Sequence, residues 1–340
     1  MVCTLGNLTA DLEFGKTVSY QRLGIVPLRL RKSSALSYLT CDETDLGKWV
    51  TIEEVSAAGS VPELRVRNQS NHRLFIFEGS TLIGAKQNRV VNMSIMLGPQ
   101  SVNVIPVSCV ERGRWQVNTP TFGLGAFSDH QLRAKMSAGV TASLKKFGKV
   151  TMDQMAVWSH VDSMLGKAQA ASPTGAYQAV YDKCHDDLSD YIRQLPAPKE
   201  ASGVAVEFDG AIQVVDLFDK PETLQKLWPR LVKSYALGSH YSAPRTSQRA
   251  PAKDFIQRIS STPFDSFQGA GIGVTMRLHS PEGLGSALLC EDQLVHLSLF
   301  AESSGLARSG EQSTFVQQPD QGTNRDTGKQ PGRPFWRFWD

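Results

Sequence analysis

Between residue 18 and about residue 110, apolar and polar side chains alternate in short runs, the period-two signature of strands that bury one face. Arg65-Val66-Arg67 and Asn92-Met93-Ser94-Ile95-Met96-Leu97 show it most clearly. The pattern predicts strands over 23–30, 50–55, 63–68, 74–78, 89–97 and 102–109. Gly59-Ser60, Asn68-Gln69-Ser70-Asn71 and Gly98-Pro99 supply tight reversals between them, so antiparallel pairing is expected. The period then changes. Tyr177, Val180, Tyr181, Cys184, Leu188, Tyr191, Ile192 and Leu195 recur at three- and four-residue steps, predicting one helix that starts at Ser172-Pro173 and stops before Pro196. Met155, Trp158, Val161 and Leu165 mark a helix over 152–166, and a weaker stripe marks another over 128–146.

After Gly203 the signal returns to strand. Segments 204–208 and 211–217 flank Asp209-Gly210, the dipeptide suited to a two-residue type I′ hairpin. Pro221 opens a helix with Leu224, Leu227, Trp228, Leu231, Val232 and Tyr235 on one face, and Gly238 is read as lying just past its end. Pro229 inside that stripe removes a backbone donor, which predicts a kink rather than a break. A helix over 252–260 and strands over 271–278, 285–290 and 294–300 complete the pattern.

The fold class read from these elements is α+β. An antiparallel β-rich lobe over 1–127 is followed by helices over 128–200 and by an α/β lobe over 201–301 packed with the first. Residues 302–340 turn to Ser, Gly, Gln, Thr, Asp and Pro, a composition expected to stay disordered. Their aromatic end, Pro334-Phe335-Trp336-Arg337-Phe338-Trp339, has the make-up of a docking peptide for a protein partner. With 340 residues, 41% of them hydrophobic, the chain can bury a core without disulfides, and its five widely spaced cysteines read as reduced thiols. No stretch approaches the roughly 18 apolar residues of a membrane span, and residues 1–14 lack the pattern of a leader, so a cytoplasmic location is expected. A net charge of +3 is too small to recruit nucleic acid through the overall field.

Any anion site must therefore be local. The densest polar run is Gly84-Ala85-Lys86-Gln87-Asn88-Arg89, with Glu78-Gly79 just upstream. Lysine brings a point charge, arginine a planar fork and the amides both donors and acceptors, which together can grip phosphate and ribose oxygens. The same amides can instead cap their own backbone. A second run, from Pro106 to Trp115, carries Cys109, Glu111, Arg112, Arg114 and Trp115. Cys109 beside arginines is a candidate nucleophile, although buried strand cysteines are commoner; Glu111 suits a general base or ribose-hydroxyl acceptor. Trp158 is expected in the helix core and His160 on the helix surface. Cys184-His185-Asp186-Asp187 does not put its donors on one face, so no metal site is read there, and no dinucleotide, P-loop or hydrolase signature is complete.

The runs 84–89 and 106–115, with the later 221–231 segment Pro-Glu-Thr-Leu-Gln-Lys-Leu-Trp-Pro-Arg-Leu, resemble the ARG and Rhodanese-Phosphatase-superfamily-associated Protein domain family over about residues 36–300. The family is named for its association with ADP-ribosylglycohydrolases and phosphatase-like proteins, and the resemblance implies a role tied to NAD or ADP-ribose. It carries over the polar motif, here Lys86, Gln87, Asn88, Arg89, Glu111, Arg114 and Trp115, with Ser80-Thr81 where the family pattern tends to be acidic. The expectation is a nucleotide-like small-molecule ligand, no named cofactor, Lys86, Arg89 and Arg114 on phosphate, Gln87 and Asn88 on ribose or base, Trp115 beside them, and Glu78 or Glu111 for any hydrolytic or transfer step. A non-catalytic sensor or interaction module, in which the motif is structural, is the open alternative.

Overall fold

Leu23–Leu30 pairs antiparallel with Gly203–Phe208, Leu28 opposite Gly203 and Leu23 opposite Phe208. Strands from the two ends of the sequence thus share one sheet. That sheet has nine antiparallel strands in the order Leu12–Phe14, Leu23–Leu30, Gly203–Phe208, Ala211–Phe218, Gln293–Ala301, Gly283–Cys290, Val274–Ser280 and Asp265–Gln268, with Val18–Tyr20 also on Leu23–Leu30. Both faces are buried, which explains the long apolar runs. One face packs Val26, Leu28, Ala205, Val215, Leu217, Met276, Leu278, Leu297 and Leu299 against Leu5, Phe255 and Ile256, from the helices Leu5–Thr9 and Ala252–Arg258. The other turns Ile25, Val204, Val206, Val214, Phe218 and Phe300 toward the remaining helices.

Two smaller sheets follow: six strands in the order Phe122–Phe127, Ser80–Gly84, Arg89–Val91, Ser101–Cys109, Glu63–Asn68 and Val50–Glu54, and three in the order Ile95–Leu97, Arg73–Ile76 and Tyr38–Thr40, the last pair parallel. The helix His130–Phe147 joins the cores, placing Leu132 and Met136 in the core over the large sheet and Val140 and Leu144 in that of the smaller sheets. Asp129 caps its start by accepting from Gln131 N and Leu132 N at 2.9 and 3.3 Å, and Gly148 ends it at φ +66°. This α+β structure, a computed structural model, describes residues 3–44, 46–243 and 251–302. The expected disordered tail and its aromatic end lie outside the described residues.

The Asp209-Gly210 hairpin is present, with φ +52° and +78° at the two turn positions and Phe208 opposite Ala211. A second turn of this kind joins the last two strands at Glu291-Asp292, φ +51° and +58°. Several predictions need correcting. The helix expected from Ser172-Pro173 begins at Gln178 and divides at Cys184 into Gln178–Lys183 and His185–Gln194, because Cys184 sits at φ −97°, ψ 14°. The single strand expected over 89–97 is two: Asn92 and Ser94 leave the ladder to bond Ser108 Oγ at 2.8 Å and Glu78 N at 3.1 Å, and the chain crosses from the six-stranded to the three-stranded sheet. Pro221–Tyr241 runs through Pro229 as one helix and past Gly238. Gly238 is there for packing: a Cβ would stand 2.3 Å from His130 Nδ1.

Candidate functional site

The polar motif lies on the hairpin formed by Ser80–Gly84 and Arg89–Val91, with Leu82 opposite Arg89. Its turn needs glycine: Gly84 adopts φ +126°, and a Cβ there would stand 2.4 Å from Thr119 Oγ1. Side chains then fix the turn from within. Asn88 Oδ1 accepts from Gly84 N at 3.1 Å, and Thr119 Oγ1 accepts from Ala85 N at 3.0 Å. Arg114 donates to the carbonyls of Ala85, Gln116 and Gly84 at 2.6, 3.0 and 3.2 Å, to Asn88 Oδ1 at 3.1 Å and to Glu111 Oε2 at 2.6 Å. A guanidinium has five N–H donors, and of this one only Nε lacks a partner among the described residues.

Glu111 closes the same knot. Its Oε2 also accepts from Asn88 N at 3.0 Å, and its Oε1 accepts from Thr174 Oγ1 at 2.7 Å. Burial pushes the carboxyl pKa up, but the hydrogen bonds from Arg114, Thr174 and Asn88 outweigh it and hold Glu111 below its ordinary value. An ionised Glu111 suits a base, not an acid. Beyond Thr174 opens a cleft of about 650 Å³ whose walls include Arg112, Gly113, Asp162, Gln169, Thr174 and Gly175. Arg112 pairs with Asp162 at 3.4 Å, both half exposed.

Lys86, Arg89 and Trp115 form a second group, joined by Glu54 from the end of Val50–Glu54. The Arg89 Cζ and the Lys86 Nζ lie 5.5 and 5.3 Å from the Trp115 ring centroid, and Trp115 is 43% exposed. Lys86 Nζ donates to Ala58 O at 2.9 Å. Arg89 is 0% exposed; Nη1 donates to Gln87 Oε1 at 2.8 Å, while Nε and Nη2 meet no hydrogen-bond acceptor among the described residues. Glu54 Oε1 stands 3.8 Å from Arg89 Nη2 and accepts from Lys86 N at 3.3 Å, whereas Glu54 Oε2 accepts from nothing described. Burial lowers the Arg89 pKa, and the neighbouring Cys109 and Glu54 offset this only in part. Glu54 escaped the sequence reading because it comes from a strand edge outside the two polar runs.

Glu78 belongs elsewhere. Arg277, Ser286, Ser298 and Asp216 stand opposite one another on four adjacent strands of the large sheet, a polar row crossing its interior. Over it lies Arg133, which donates to Asp216 at 2.8 and 2.5 Å and to Glu78 Oε1 at 3.1 Å. Ser286 Oγ donates to Glu78 Oε2 at 3.2 Å, Tyr235 Oη to Asp216 at 2.5 Å, and His296 Nε2 faces Asp216 at 3.3 Å. Burial raises the Asp216 pKa, but Arg133 and His296 outweigh it and leave the carboxyl well below the usual range. Arg133 is conversely held above the ordinary arginine value against burial by Asp216 and Glu78. Arg277 ends the row, its pKa brought down to about 10 by burial with only Glu78 to offset it.

The remaining candidates are structural in their settings. Burial pushes the Cys109 thiol up, opposite to what a nucleophilic thiolate requires. His160, expected on a helix surface, is buried and 2.7 Å from Asp129 Oδ2, which also accepts from Tyr177 Oη at 2.5 Å. The correction follows from the helix face, which points the ring at a helix cap. Cys184 is buried beside Tyr241 Oη at 3.2 Å, while His185, Asp186 and Asp187 are exposed.

Residues 11–300 match the ARG and Rhodanese-Phosphatase-superfamily-associated Protein domain, and the chain belongs to that family. No curated protein and no solved structure matches it. Among the described residues no helix is long and apolar enough to cross a membrane.

Proposed function

We propose that this family member binds an anionic nucleotide of the ADP-ribose or NAD kind at the 84–89 turn. Arg89 and Lys86 face its phosphate and Trp115 offers a ring surface for its base or nicotinamide, while Gln87, Asn88, Arg114 and Glu111 form the frame that holds those groups in place. One observation carries the reading. Arg89 is a fully buried cation with two nitrogens lacking acceptors, covered by an exposed tryptophan. A desolvated guanidinium short of acceptors is costly, and a phosphate supplies a bidentate acceptor for Nε and Nη2. The link to ADP-ribose rests on the family association. Hydrolytic or transfer processing of the bound molecule is the further step of this proposal. Glu78 and Glu111, whose oxygens are engaged internally, are not free to provide it without rearrangement.

Titration calorimetry with ADP-ribose, NAD and AMP tests the reading. Wild type is expected to bind, and Arg89→Met to abolish binding with its melting temperature nearly unchanged. Arg112→Ala is the control for the neighbouring cleft and should leave affinity intact. Absence of heat at millimolar ligand overturns the proposal.

A second reading, an interaction module whose motif is purely structural, is favoured by the internal commitments of Asn88, Glu111 and Arg114. It predicts that Asn88→Ala lowers the melting temperature and that no small anionic ligand raises it. The expected partner-docking role of residues 334–339 belongs to this reading, and its test is loss of partner capture on their removal.

A further inference from the structure

Three carboxylates are candidates to meet a ligand of the motif, and their oxygens are occupied very differently. Glu78 gives one oxygen to Arg133 and the other to Ser286 in the sheet interior. Glu111 gives one to Arg114 and Asn88 N, the other to Thr174. Glu54 uses Oε1 for Lys86 N and leaves Oε2 without a donor. That free oxygen lies where three other groups meet: a Cβ on Gly59 would stand 3.2 Å from it, 3.1 Å from Lys86 Cδ and 3.2 Å from Trp115 Cζ2. Gly59 itself adopts φ +80°, so the loop presses its backbone against this point without a side chain.

We infer that Glu54, through Oε2, accepts a hydrogen bond from a sugar hydroxyl of the bound molecule, and that the ligand class is therefore a phosphorylated riboside with free ring hydroxyls. The inference rests on the nucleotide reading above and adds the group that selects the sugar. Bare phosphate or pyrophosphate is a poor guest here. It would satisfy Arg89 but bring negative oxygens toward a carboxylate whose Oε1 is 3.8 Å from Arg89 Nη2. A ligand carrying an anion and an adjacent hydroxyl satisfies both orphaned partners at once, the anion on Arg89 Nε and Nη2 and the hydroxyl on Glu54 Oε2. Arg89 is fully buried, so the guest enters where the half-exposed Trp115 side chain lies and displaces it outward. Trp115 is carried on a segment without helix or strand, which lets the indole move without breaking a ladder.

The test compares AMP, 2′,3′-dideoxy-AMP and pyrophosphate by calorimetry on wild type, Glu54→Leu and Glu54→Gln, with a melting curve for each protein. Wild type is expected to prefer AMP over the dideoxy nucleotide by at least about tenfold, the scale of a lost hydrogen bond to a charged group. Glu54→Leu should reduce the preference to within about twofold and leave dideoxy-AMP and pyrophosphate bound as well as, or better than, in wild type. If the leucine variant does not fold, Glu54→Gln keeps the shape and should shrink the preference several-fold. Wild type binding both nucleotides equally, or a folded variant keeping the full preference, overturns the inference while leaving the nucleotide reading standing. Failure of wild type to bind any of the three overturns this inference, and absence of heat with ADP-ribose and NAD as well sinks the nucleotide reading with it.

Discussion

Arg133 and Arg89 are both buried arginines, yet the protein treats them in opposite ways. Arg133 lies between Asp216 and Glu78, over the rings of Phe77 and Phe300, and its pKa is driven up. Arg89 has one amide acceptor and a carboxylate at 3.8 Å, and its pKa is driven down. A buried ion pair whose carboxylate oxygens all accept hydrogen bonds makes a rigid join between elements, here between the His130–Phe147 helix, the loop at Glu78 and the middle of the large sheet. A buried cation short of acceptors makes a site with an affinity still to be satisfied. Shortage of acceptors does not by itself mark a ligand group, since Arg277 of the row is also buried with Nε and Nη1 unpartnered among the described residues; what sets Arg89 apart is the exposed Trp115 beside it.

The comparison can be broken most decisively at the row. Asp216→Ala leaves Arg133 without its bidentate partner, and the loss expected for removing one member of a buried pair is about 3–5 kcal/mol, read by urea denaturation. Arg114→Met should cost less, about 2–3 kcal/mol, because the five hydrogen bonds of Arg114 to carbonyl, amide and carboxylate oxygens go but water can reach part of the gap. Arg89→Met should sit at the other extreme, within about 1 kcal/mol of wild type or slightly stabilising, since an under-compensated charge is replaced by an apolar side chain of similar length. A loss for Arg89→Met matching that of Asp216→Ala would erase the distinction.

Asp219 sharpens the comparison from the acidic side. Tyr38 Oη donates to its Oδ1, but Oδ2 has no hydrogen-bond donor among the described residues and Lys220 Nζ stands 3.9 Å away. Burial pushes its pKa to about 6 against Tyr38 and Lys220. An acid whose folded pKa is raised stabilises the fold below its unfolded value, and that stability is lost as pH climbs through about 6. Asp219→Asn should therefore melt higher than wild type at pH 7 and alike at pH below about 4. Glu111 has the reverse sign: its lowered pKa gives stability that is present above the ordinary carboxylate value and is lost as pH falls through the folded one. Glu111→Gln should flatten the acid limb of the melting curve, the smallest of these effects.

What the chain disclosed by itself follows the range of the interactions involved. The Asp209-Gly210 hairpin and the helix opened by Pro221 were readable because their chemistry is local: two positive-φ positions, and a proline at the first turn. The break at Cys184 was not, because the apolar stripe continues across it while the backbone does not. In the motif, Glu111 meets Asn88 and Arg114, and Lys86 and Arg89 meet Trp115, residues that come from two separated polar runs. The division of labour between them was hidden, since it depends on backbone carbonyls at Gly84 and Ala85 that no side-chain pattern reveals. The row of Arg277, Ser286, Ser298 and Asp216 was hidden for the same reason: each looks like an ordinary polar position until register sets them side by side.

The pairing of Leu23–Leu30 with Gly203–Phe208 bears on how the molecule is made. A ribosome that has not yet delivered Gly203 holds an apolar strand whose neighbour on that side does not exist, so the sheet's middle closes late and by long-range search. Fragments ending before that point should aggregate rather than fold, and chaperones that shield nascent strands should matter more for this chain than for one whose sheets close in order of synthesis.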